Sequence, residues 1–124
     1  MTPPQLAIVV PAFNEAQRLT ENLLTLLGYL QIYRPEAELI VVDDGSTDGT
    51  AQVAEELFAR RPDVMARVLR FSVNLGKGHA VRSGLLAAQA PIAVLSDADL
   101  STPFTELPKI VEPIEAGKYD IVLG

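Results

Sequence analysis

With 124 residues, 48% of them hydrophobic, and no cysteine, the chain holds enough apolar material for one core, and neither a disulfide framework nor a thiolate metal site. Ten basic residues against sixteen acidic ones give a formal charge of −6. That removes the broad basic surface of a nucleic-acid binder and leaves any anionic ligand to a metal, a few basic residues or backbone amides. No run approaches the roughly 18 apolar residues of a membrane span, the opening MTPPQLAIVVPAFNE does not read as a signal peptide, and lack of cysteine fits a reducing cytoplasm.

The first predicted element is a strand at 6–10 (LAIVV). Leu19, Leu23, Leu26, Leu27, Leu30 and Tyr33 then recur with helical spacing, opened by Asn14 with Gln17 three residues on as a capping pair, and closed before Pro35. A second strand falls at 39–42 (LIVV), followed by a helix carrying Val53, Leu57 and Phe58 that ends at Pro62. A weaker strand at 68–71 (VLRF) leads to a helix marked by Val81, Leu85 and Ala88, ending before Pro91. Strands at 92–95 (IAVL) and 121–123 (IVL) enclose a fourth helix with Leu107, Ile110, Val111 and Ile114, kinked at Pro113 and stopping near Gly117.

Apolar runs without alternation mark strands covered on both faces. Strand–helix alternation predicts an α/β fold with a mainly parallel sheet between helices. In such sheets ligands bind beyond the carboxyl ends of the strands. There the chain places four polar loops, PAFNE, DDGSTDGT, NLGKG and SDADLSTP.

DDGSTDGT, residues 43–50, matches several positions of a calcium-binding EF-hand loop, but a strand precedes it where that loop needs a helix, and Ser46 stands at its third position. For residues 46–50 a turn with Ser46 or Asp48 as helix cap suffices. The two acids ending the strand, Asp43 and Asp44, need another explanation, and a ligand contact supplies one. GKGHAVRSG, residues 76–84, fails both the G-x-G-x-x-G and the Walker A patterns. It is either a flexible entry to a helix or a phosphate cradle built on glycine amides and Lys77. His79, the sole histidine, cannot anchor a transition-metal cluster without cysteine partners. Glu15 suits a helix N-terminus, and Phe13 either packs or stacks on a nucleobase.

Asp97 and Asp99 flank Ala98 directly after an apolar run. On a strand their Cα atoms would lie roughly 6.6 Å apart on one side, and at 4 Å and an effective dielectric near 20 two carboxylates repel by roughly 4 kcal/mol. A cation between them would relieve this, and magnesium and manganese both suit such oxygen ligands. A receiver-like domain of flavodoxin type would carry its acids after the first and third strands, and a nicotinamide-binding domain would carry glycines where PAFNEA stands.

Together VVPAFNE, LIVVDDGSTDGT, NLGKGHAVRSGL and SDADLSTP resemble the nucleotide-sugar-binding half of a family-2, GT-A-fold glycosyltransferase over nearly all of the chain. DADLSTP most resembles the dolichyl- or polyprenyl-phosphate glucosyltransferase type, with dolichyl-phosphate mannose synthases close behind. The resemblance implies that Pro11, Ala12, Phe13 and Glu15 line the base and ribose site, that Asp44, with Asp43, recognises the base, and that Lys77 approaches the nucleotide. It further implies that Asp97, Ala98 and Asp99 contact the donor, with Asp97 and Asp99 holding Mg2+ or Mn2+ on the diphosphate.

The implied reaction is inverting transfer of a hexose, glucose favoured, from a nucleoside diphosphate sugar to a lipid phosphate. UDP-glucose is the favoured donor and GDP-mannose the alternative. A non-catalytic nucleotide-sugar-binding module, or a family-2 enzyme with a saccharide acceptor, are the competing readings. Residues 1–124 are expected to be the donor part of a truncated GT-A domain, with the acceptor part and general base beyond Gly124. The full-length protein is expected at the cytoplasmic face of a membrane.

Overall fold

The uninterrupted apolar runs become the two central strands. In the computed structural model, which describes residues 4–96, β1 (Leu6–Ala12) and β2 (Glu38–Asp44) are buried along almost their whole length. The remaining elements are α1 (Ala16–Tyr33), α2 (Thr50–Ala59), β3 (Met65–Phe71), α3 (Lys77–Ala87) and β4 (Ile92–Leu95). The predicted strand–helix order therefore holds through β4. The helix and strand expected between residues 107 and 123 lie outside the described residues.

All strand pairs are parallel, in the order β3-β2-β1-β4. Ala12 stands opposite Asp43, and Asp44 opposite Phe71, so β1, β2 and β3 end at nearly one level, while β4 ends with Leu95 opposite Val9. Order reverses at β1, which has β2 on one side and β4 on the other, the arrangement that opens a crevice at the carboxyl edge of an open sheet.

Alternate strand residues supply two cores, as the period of two requires. Leu6, Ile8 and Val10 of β1 with Leu39 and Val41 of β2 meet Leu19, Leu23, Leu26, Leu27 and Leu30 of α1 and Ala54, Leu57 and Phe58 of α2. On the opposite face Val9, Ile40 and Val42 meet α3. Full burial of a leucine is worth roughly 1.5–3 kcal/mol, so the leucine stripe of α1 outweighs anything its ends contribute.

α3 packs differently. The expected stripe of Val81, Leu85 and Ala88 is only half-buried, and the buried positions are Ala80 and Gly84. A Cβ on Gly84 would lie 2.3 Å from Val9 Cγ1 and 3.0 Å from Val42 Cγ2, so the helix backbone approaches the sheet to within the thickness of a missing methyl.

β3 is the outer strand of the described sheet and carries charge. Arg70 pairs with Glu55 of α2, while Arg67 donates to the Ala87 carbonyl at the end of α3. At the start of β2 the Glu38 carboxylate, 3% exposed, accepts the amides of Gln89 (2.6 Å) and Ala90 (3.3 Å), fixing the turn from α3 into β4. No helix among the described residues is long and apolar enough to cross a membrane.

Two capping expectations are corrected. Asn14 does not cap α1: its φ is 53°, the cap position belongs to Glu15, and no side chain of the helix's own first turn caps it. Likewise Gly49, at φ 84°, occupies the cap position of α2, displacing Ser46 and Asp48 from it. In both cases the side chains are engaged across loops.

Candidate functional site

Three loops meet beyond the carboxyl ends of β1, β2 and β3, and side chains from the segment 43–50 hold them together. Because Asn14 is left-handed, the chain turns sharply after β1 and its polar groups face the β2–α2 loop. The Asn14 amide donates to Ser46 Oγ (2.8 Å), and Asn14 Oδ1 accepts the Thr47 amide (2.9 Å). One residue on, the Glu15 amide donates to Thr50 Oγ1 (3.0 Å) and the Ala16 amide to Asp48 Oδ2 (3.1 Å). The amides opening α1 are thus satisfied by residues more than thirty positions away.

Asp48 Oδ1 also accepts the Thr50 amide (3.1 Å) and the Thr50 hydroxyl. The Thr50 hydroxyl bond is the main cause that holds the Asp48 carboxyl below the ordinary aspartate value; the amides of Ala16 and Thr50 add to it, against the opposing effect of burial. A depressed folded-state pKa stabilises the fold above the unfolded value, and that contribution is lost as pH falls through the folded one. Asp48→Asn is therefore expected to melt at lower temperature than the parent at neutral pH, with the gap closing as pH falls through and below the ordinary aspartate range. Melting curves across that range check it; a pH-independent gap would remove the ionic role.

The two acids ending β2 diverge because neighbouring strand residues face opposite sides. Asp43, 6% exposed, follows Val41 toward the α1–α2 side, where its Oδ1 accepts the Ser46 amide (3.1 Å) and Oδ2 has no partner among the described residues. Asp44, 4% exposed, follows Val42 toward α3, where Oδ1 accepts the Leu75 amide (3.0 Å) and Oδ2 the Gly76 amide (3.0 Å). Between them and α2, Gly45 adopts φ 77° and lies against the β3–α3 loop: a Cβ there would sit 2.4 Å from Asn74 N and 2.5 Å from Val73 C.

Pro11 and Ala12 end β1, the first half-buried and the second buried, and Phe13 stands 44% exposed beside them. Glu15 pairs with Arg18 one turn into α1 (2.9 Å). Lys77 is the exposed first residue of α3. His79 meets the ring of Phe71 edge-on, with centroids 4.9 Å apart, and its buried Nδ1 has no hydrogen-bond partner among the described residues. Asp97, Ala98 and Asp99 lie outside the described residues, directly after Ser96, whose amide donates to Val9 O (2.9 Å). No group of three potential metal-binding side chains occurs among the described residues.

The structure thus brings the sequence-predicted Phe13, Glu15, Asp43, Asp44 and Lys77 onto one edge of the sheet. It adds Asn14, Ser46, Thr47, Asp48 and Thr50 as the residues that tie two of its loops together. The sequence signal for them was the density of short polar side chains after two strand ends, which can bond to backbone.

A parallel α/β sheet with polar loops and acids gathered at its carboxyl edge is the class of open sheet in which ligands bind beyond the strand ends. Residues 7–124 match Glycosyl transferase family 2, and the chain belongs to that family. It is similar to the dolichyl-phosphate beta-glucosyltransferase of Saccharomyces cerevisiae, with 34% identity over 88% of this chain and 34% of the relative. It is also similar to the undecaprenyl-phosphate 4-deoxy-4-formamido-L-arabinose transferase of Edwardsiella ictaluri, with 31% identity over 94% of this chain and 35% of the relative. Among solved structures it is similar to the mannosyltransferase PcManGT from Pyrobaculum calidifontis in complex with GDP-Man and Mn2+, with a TM-score of 0.76 and 32% identity over 90% of this chain and 32% of the other. The fold is that of GT-A glycosyltransferases. The chain spans about a third of the length of the relatives it matches.

Proposed function

We propose that the protein carrying this chain is an inverting glycosyltransferase that moves a hexose, glucose in the favoured case, from a nucleoside diphosphate sugar to a polyprenyl or dolichyl phosphate, and that these residues form its donor half. The observation carrying this reading is the convergence of the three braced loops on one sheet edge in a chain of this family. The names of the two lipid-phosphate transferases support the acceptor class, and the GDP-Man and Mn2+ of the Pyrobaculum structure support a nucleotide-sugar donor with a divalent ion.

In this reading Pro11, Ala12 and Phe13 form the floor of the base site and Glu15 borders the ribose. Asp44, with Asp43, accepts the imide N–H of uracil: each carboxylate has acceptor sites beyond the backbone amides it already takes. Lys77 and the start of α3 face the phosphates. Asp97 and Asp99 are hard oxygen donors, a set that fits Mg2+ or Mn2+. Bound there, the ion would neutralise the leaving diphosphate. A lipid phosphate is already ionised and asks less of a general base than a sugar hydroxyl does. The reading places the full protein at the cytoplasmic face of a membrane.

Incubating the full-length protein with labelled UDP-glucose and polyprenyl phosphate is expected to give an organic-extractable, mild-acid-labile product, and chelation of divalent ions is expected to abolish both transfer and UDP binding. Transfer only to a soluble sugar or protein, or binding indifferent to chelation, would overturn the acceptor or metal assignment respectively.

A further inference from the structure

We propose that Thr50 is a positioning residue for donor recognition: its hydroxyl, oriented by Asp48, holds the opening of α1 so that the two loops bordering the nucleoside meet the donor as one rigid surface. The inference rests on the donor-binding reading above and deepens it.

Three consecutive amides of the β1–α1 loop, those of Asn14, Glu15 and Ala16, donate to three different side chains of the β2–α2 loop, Ser46, Thr50 and Asp48. Ser46 is half-buried and Asp48 exposed, whereas Thr50 is fully buried at the start of α2. Thr50 therefore cannot touch a ligand, and what it does for the donor it does through Glu15. An ionised carboxylate only accepts, so Asp48 Oδ1 commits the Thr50 hydroxyl proton and leaves the hydroxyl lone pairs to the Glu15 amide. Asp48 Oδ2 takes the Ala16 amide next to it. Both amides lie at the end of a helix that has no side-chain cap of its own and no intrahelical partner to offer them. The clamp joins the segment that carries Phe13 to the one that carries Asp43, whose Oδ1 takes the Ser46 amide. It also holds Asn14 at φ 53°, a conformation that persists only where the surroundings fix it.

In the full-length protein, Thr50→Val keeps the buried shape and removes the hydroxyl, while Thr50→Ser keeps the hydroxyl. Thr50→Val is expected to weaken uridine and UDP binding by the same factor, about tenfold, and to leave pyrophosphate binding in the presence of Mn2+ within about twofold. Thr50→Ser is expected to bind UDP within about threefold of the wild type. Exchange of the Glu15 and Ala16 amides, followed by NMR, is expected to accelerate about tenfold or more in Thr50→Val. Wild-type UDP affinity in Thr50→Val would overturn the proposal, as would equal losses in the Val and Ser variants, or a loss shared equally by pyrophosphate. If the wild type itself binds neither UDP nor uridine, the donor reading fails and the proposal with it; wild-type binding that Thr50→Val leaves intact overturns the proposal alone. Should Thr50→Val not fold, the wild type carries the test. Amides that open a helix ordinarily exchange freely, so protection of Glu15 and Ala16 is the expected result, and exchange at the rate of unstructured amides would overturn the role.

Discussion

Gly45→Ala is expected to destabilise the protein by roughly 2–5 kcal/mol and to weaken UDP binding about tenfold or more. Two costs combine. An L-residue at φ 77° pays roughly 1–2 kcal/mol of backbone strain. The added methyl would also meet Asn74 N at 2.4 Å and Val73 O at 2.9 Å, and those are backbone atoms that no rotamer change can move. Overpacking of this kind typically adds ~1–3 kcal/mol. The β3–α3 loop must shift as a unit, and that shift strains the bonds from Leu75 and Gly76 to Asp44. Urea unfolding and UDP calorimetry check the two effects separately; a stable variant with wild-type affinity would show that the loops are not in the contact described.

Gly84→Ala is expected to cost ~2–3 kcal/mol of stability despite alanine being the better helix former by about 1 kcal/mol. The new methyl would lie 2.3 Å from Val9 Cγ1, and Val9 is fully buried between β2 and β4 with no room to swing. Helix α3 must therefore lift from the sheet. A lower urea midpoint with an unchanged slope is the expected result. Val9→Ala in the same chain should recover part of the loss, so that the double variant is less destabilised than the two single costs imply. Additive costs, or a midpoint equal to the parent's, would contradict the close packing of α3.

The strands and the first two helices were legible because their apolar spacing is strong: IAVL at 92–95 is β4, and the leucines of α1 are its buried face. β3 was read short, from 68 instead of Met65, because Arg67 and Arg70 interrupt an alternating outer strand that has no need of continuous apolarity. Hydrophobic periodicity found only part of the contact at α3. It weighs large side chains, and so pointed to Val81, Leu85 and Ala88; Leu85 and Ala88 do pack half-buried against the sheet, but the fully buried positions are Ala80 and Gly84, four residues apart and small. The site's residue types were visible as polar loops after strands. Their partners were not, since Asn14, Asp48 and Thr50 bond across more than thirty residues and local capping rules cannot see that distance. One inference was available and missed. The strand period of two sends Asp43 and Asp44 to opposite faces, so each braces a different loop.

The two buried acids of β2 also bear on how α3 keeps its place. A helix whose fully buried contacts with a sheet are Ala80 and Gly84, with Leu85 only half-buried beside them, presents a shallow surface and so less resistance to sliding along its own axis than interlocked large side chains would. Interlocking side chains normally set that axial register. Here it is set from outside the interface: Asp44, at one end of β2, grips the chain just before the helix, and Glu38, at the other end, grips it just after. The strand acts as a ruler seven residues long against which the helix is measured off, and both marks on it are buried carboxylates.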